Sequence, residues 1–82
     1  MNNVVQIKPF AVEVTFDAEC HMFTAECDAL HLVTEASTFE VLTDHVWGLV
    51  PDLIELNNLP IDPKTVRLRF EVIQSASERM AV

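Results

Sequence analysis

The chain contains a single glycine, Gly48, and therefore no glycine-rich loop whose backbone N–H groups could cradle a phosphate. It has five Lys and Arg against thirteen Asp and Glu, a formal net charge of −8 at pH 7. That balance excludes the basic footprint that nucleic-acid binding needs to displace counterions, and it disfavours an anionic membrane surface. No apolar run approaches the ~18 residues of a transmembrane helix. The opening MNNVVQIKPF places Asn, Gln and Lys where a secretory signal carries its apolar region. A cytoplasmic location is expected, and the two cysteines, Cys20 and Cys27, are then expected to be reduced thiols.

Half of the 82 residues are hydrophobic, too many for a disordered chain. The expectation is one domain over residues 1–82, with its core at about 8–73 and loose ends. A chain this short supports one modest core, because only about 60–65% of its unfolded surface can be buried. The excess acid suits a small basic protein partner, since charge speeds encounter more than it sets affinity. It also serves solubility alone.

One long helical pattern organises the rest. In TEASTFEVLTDHVWGLVPDLIELN, Ser37 precedes Glu40 by three residues, the spacing in which hydroxyl and carboxylate satisfy free N–H groups at a helix start. The start is expected near Ser37 or Thr38. At about 100° per residue, Phe39, Leu42, Val46, Leu49, Val50 and Leu53 share one side, and Glu40, Asp44, Asp52 and Glu55 the other. Gly48 and Pro51 interrupt this pattern and predict a kink, or a break followed by a short second helix from Pro51 to Leu56. Asn57 and Asn58 form the stop. Val41 falls on the outer side and Trp47 at the stripe's margin, where a large aromatic serves either as partly buried core or as an interface anchor.

The flanking segments read as strands. Phe10, Val12, Val14 and Phe16 alternate with Ala11, Glu13 and Thr15, the period of a half-buried strand. The polar run Asp17 to His21 turns the chain. A second strand follows from Met22 to Asp28 with Phe23, Ala25 and Cys27 inward, and a short third runs from Leu30 to Glu35. After a connector stiffened by Pro60 and Pro63, Val66, Leu68, Phe70 and Val72 alternate with Arg67, Arg69 and Glu71. Three antiparallel strands, a helix and a last strand parallel to the first give an α+β, βββαβ two-layer sandwich with sheet order 3-2-1-4. On its uncovered face Glu13 is then expected to pair with Arg67 or Arg69.

Residues of reactive type do not fall at reactive spacings. Cys20, His21, Cys27, Asp28 and His31 are all metal-ligand types, but they lack the paired knuckles of a structural zinc site. Cys20 and His21 are adjacent, and neighbours on an extended chain point in opposite directions. Neither a catalytic residue nor a cofactor is expected, and a metal-binding or thiol enzyme is the weakest alternative.

The run from Phe10 to Asn57 resembles the small HicB-like proteins of prokaryotes, over about three fifths of the chain. The likeness lies in a strand ending at Asp17, a second strand with Phe23-Thr24-Ala25, the helix start Thr34-Glu35-Ala36-Ser37-Thr38, and Leu42 and Leu49 in the helix. The closing Val50-Pro51-Asp52-Leu53 with Glu55-Leu56-Asn57 is closer still to an uncharacterised subgroup of the same fold. The resemblance implies a degenerate ribonuclease-H-like domain without catalytic acids. In HicB proteins such a domain neutralises a small basic RNA-cleaving toxin by covering its active site, and a separate DNA-binding module represses the operon. Two departures stand out. The usual Pro-Gly turn reads Asp28-Ala29-Leu30-His31, and the stretch after the last strand is too short for a helix-turn-helix, so autorepression is not expected.

The expected function is a non-catalytic protein-interaction module, antitoxin-like, with Val41, Asp44, Trp47, Asp52 and Glu55 as the partner-binding residues. The alternative is a freestanding homo-oligomer, dimerising through the strand Leu30 to Glu35 or through the exposed sheet face.

Overall fold

Alternation along the first segment produces β1 (Phe10–Asp17), in which Val12 and Val14 are fully buried and Ala11, Glu13 and Thr15 face solvent. The computed structural model describes residues 8–74. The loose ends expected on either side of the core therefore lie, apart from Gln74, outside the described residues.

A turn over residues 18–21 leads into β2 (Met22–Cys27), which pairs antiparallel with β1. β3 (Leu32–Ala36) pairs antiparallel with β2, and β4 (Leu68–Ile73) pairs parallel with β1. The sheet order is β3-β2-β1-β4, as the direction of each segment predicted. One helix, α1 (Phe39–Leu56), packs on one face, mainly against β3 and then β2. The core between the layers includes Val12, Val14, Ala25 and Leu32 from the sheet, and Leu42, Val46, Val50 and Ile54 from the helix.

Several local expectations change. Of the two expected starts, Thr38 caps the helix, but without the Ser37–Glu40 box: Thr38 is extended, and its Oγ1 accepts the Val41 N–H at 3.1 Å. Glu40 then sits one residue too early to complete the Ser-x-x-Glu box. The helix also runs unbroken through Pro51, which is exposed on its outer side while Val46, Val50 and Ile54 stay buried on the inner one. At its end, Asn58 adopts a left-handed φ of 51° and donates to the Glu55 carbonyl at 3.2 Å, while Leu59 donates to Ile54 at 2.9 Å. This is a Schellman ending with Asn in the usual place of Gly.

The buried stripe is rotated toward the four-residue spacing Leu42, Val46, Val50, Ile54, which brings in Ile54 and leaves Phe39 39% exposed at the helix start. Phe39 instead joins an aromatic row: its ring lies 6.3 Å from Phe23 and 5.9 Å from Phe70, and Phe23 lies 4.8 Å from Phe16. Such pairs add about 0.5–1.5 kcal/mol each beyond area burial. Leu30 is fully buried in a 3-10 turn (Asp28–Leu30) rather than in β3. Val66 is buried ahead of β4, and Val72 is 54% exposed where the helix no longer covers the sheet.

The uncovered face differs most from expectation. Strand register sets Glu26, Glu13 and Glu71 abreast on three neighbouring strands. Arg69 lies opposite Ala11, and its Nε donates to Glu71 Oε2 at 2.8 Å, an ion pair within its own strand rather than across to Glu13.

Candidate partner-binding surface

The five residues singled out for binding are all solvent-exposed on α1. At 3.6 residues per turn, Val41, Asp44, Gly48, Asp52 and Glu55 fall within a sector of about 80° and span about 21 Å of helix. Trp47, 44% exposed, lies about a quarter turn to one side. The structure thus brings Val41, Asp44, Asp52 and Glu55 onto one ridge and places Trp47 on its flank.

The charges on this ridge are not arranged for helix stability. α1 contains no Lys or Arg, and its last turn carries Glu55 at the negative end of the helix dipole. Glu40 and Asp44 form a like-charge pair one turn apart, which costs about 0.2–0.5 kcal/mol. The helix is held instead by its buried stripe, which leaves the outer face free to concentrate acid.

Sequence reasoning missed the part played by Gly48. It occupies the middle of the ridge, and a Cβ built there meets no atom of the described residues within 4 Å beyond its own turn of helix. Among the described residues nothing requires the absence of a side chain there, and the helix gives up about 1 kcal/mol of propensity. Gly48→Ala is therefore expected to stabilise the domain by about 1 kcal/mol and to raise its melting temperature by roughly 4–8 °C, read by thermal denaturation. Beside Gly48, a shallow depression lined by Thr34, Asp44, His45 and Leu49 separates the helix from β3. His45 Nδ1 lies 3.3 Å from the Glu35 carbonyl across this groove. Leu56, 77% exposed at the helix end, was also missed; its position beyond the apolar stripe was the available signal.

The residues of metal-ligating type do not converge. Among the described residues, no three of His, Cys, Asp and Glu gather as ligands would. Cys27 is buried under the helix, whereas Cys20 is exposed in the β1–β2 turn, and both are free thiols. His21 adopts a left-handed φ of 55°, with its ring edge-on to Phe16 at 6.3 Å.

Asp17 organises that turn by accepting the backbone N–H of Glu19 at 2.9 Å and of Cys20 at 3.4 Å, which holds its carboxyl below the ordinary range. The Cys20 thiol hydrogen-bonds the same carboxylate, and that bond together with the negative charge pushes its pKa up. A nucleophilic thiol needs the opposite shift. Cys20 is expected to react with a disulfide reagent at pH 7 more slowly than a free cysteine in a peptide, and Asp17→Asn to speed it. An unchanged rate in that variant would count against the assignment.

No helix of the described residues is long and apolar enough to cross a membrane. In sequence comparison, the family described as "Domain of unknown function (DUF1902)" matches residues 9–82. No curated protein and no solved structure matches the chain.

Proposed function

Since the chain belongs to the DUF1902 family of domains of unknown function, we propose that it is a non-catalytic, antitoxin-like protein-interaction module that binds a small basic RNA-cleaving protein in the cytoplasm. The observation that carries this reading is the outer ridge of α1, where Asp44, Asp52 and Glu55 follow Val41 along the helix on either side of the unfilled space over Gly48, with no Lys or Arg in the helix. An enzyme that cleaves RNA must present cations to phosphate, and those cations are the groups an acidic ridge attracts. Val41 at the start of the ridge and Trp47 on its flank supply apolar surface that can be desolvated beside the acids, and large aromatics such as Trp carry much of the binding energy of interfaces. Inhibition then needs no chemistry from the module, only occupation of the surface that RNA would use.

The HicB-like resemblance supports the same reading through its βββαβ order and through one local feature. His31, in the turn where those proteins carry Pro-Gly, has a left-handed φ of 54°, a backbone region that glycine adopts without strain. Self-association through the uncovered sheet face is disfavoured, because the row Glu13, Glu26 and Glu71 would meet its own copy.

The test is recovery of the tagged chain from its native host at low salt. A stoichiometric small basic protein that cleaves RNA alone and stops when the module is added is the expected result. Recovery of the bait alone, under conditions that retain a known weak pair, would sink the proposal.

A further inference from the structure

β4 closes the sheet on one side, and among the described residues no strand pairs with its outer edge. It is six residues long and exposes Val72 and Ile73, which makes it a template for another chain. The groups it presents follow from its pairing with β1. The Phe10 N–H donates to the Arg67 carbonyl at 2.8 Å, with Phe10 abreast of Leu68 in the parallel register. Odd-numbered residues of β4 therefore turn their N–H and C=O groups toward β1, and Leu68, Phe70 and Val72 turn theirs outward in the plane of the sheet.

We propose that a second copy of this chain occupies the β4 edge, its own β4 running antiparallel across a two-fold axis at Phe70. The two Phe70 residues then exchange both backbone hydrogen bonds, and Leu68 meets Val72 of the second copy in the same way. All these groups already point outward. Between them, Arg69 faces Glu71 of the second copy at the non-hydrogen-bonded positions, where opposed side chains approach most closely.

Alternative registers lose this match. An axis at Arg69 or Glu71 sets identical charges opposite each other, one at Leu68 sets Arg67 against Arg69, and one at Val72 sets Glu71 against Ile73. The edge is thus complementary to itself, as a symmetric dimer interface must be, and its balanced Arg69 and Glu71 distinguish it from the acidic ridge proposed for a basic partner. On the helix side, Phe39 against Phe70 extends the apolar strip beyond the strand. The inference does not depend on the function proposed above, which uses the outer face of α1.

Sedimentation velocity on the full chain, from about 5 μM to about 500 μM, tests it. The wild type is expected to dimerise with rising concentration. Arg69→Glu or Glu71→Arg alone replaces two attractions by two repulsions and is expected to weaken the dimer roughly ten- to thirtyfold. The double variant reverses both pairs and is expected to restore it. Val72→Pro removes only an outward N–H, so it should abolish the dimer while circular dichroism keeps the sheet signal. A wild type monomeric throughout, a dimer indifferent to the single charge reversals, or a folded double variant that stays monomeric would each overturn the proposal. So would a monomeric chain whose Val72→Pro change instead blocks a captured basic protein. The charge series lies at largely exposed side chains, so the test stands even where the proline variant fails to fold.

Discussion

Leu42→Ala is expected to destabilise the domain by about 3 kcal/mol, within the 2–5 kcal/mol span of buried leucine truncations. Leu42 has no exposed surface and lies in the helix stripe facing the sheet. The substitution therefore loses the transfer energy of the side chain and leaves a cavity that a single helix on a small sheet can only partly close. Domains of this size are stable by roughly 5–15 kcal/mol at most, so the change removes a large fraction of the total. Urea denaturation measures it as a lower midpoint at unchanged slope. Leu56→Ala is the control: that leucine is 77% exposed, and its removal is expected to shift stability by no more than about 0.5 kcal/mol. A Leu42→Ala loss below about 1 kcal/mol would mean that the helix does not seal the core as described.

The triple change Asp44→Lys, Asp52→Lys and Glu55→Lys is expected to weaken binding of a small basic partner at least about tenfold at low salt, without unfolding the chain. All three side chains are exposed on one ridge, so the change reverses the local potential and leaves the core untouched. Raising the salt should weaken the wild-type complex and leave the variant little affected, because screening removes only an attraction that exists. Glu13→Lys with Glu26→Lys places a similar reversal on the opposite, uncovered face, and titration calorimetry on both variants separates the two surfaces. Equal losses would indicate that net charge alone drives association. A loss confined to the sheet-face variant would move the docking site there.

The sheet order was legible because the first, second and last strands carried a two-residue period and the connections left one economical arrangement. β1 and β2 emerge with their predicted inward residues, since parity along a strand is local. The helix was legible as an element and less so in its details. Ser37 and Thr38 are both competent caps, and only the path out of β3 selects Thr38. Pro51 argued for a kink or a break, and no break occurs, because the residue is exposed on a helix held by buried neighbours. Of the candidate surface, the acids and Val41 could be placed by helix arithmetic. The open space over Gly48 could not, because it depends on what fails to pack there.

Composition, period and parity are properties of neighbouring residues, and by themselves they determined the elements, the inward faces, the acidic outer side of α1 and the sheet order. Register between strands depends on contacts among residues distant along the chain, and only the tertiary structure decided it. Register aligned Glu13 with Glu26 and Glu71, set Arg69 opposite Ala11 instead of Glu13, and turned the polar groups of Phe70 to the free edge. A shift of one residue would have reversed each of these outcomes while leaving the alternating pattern of the sequence unchanged.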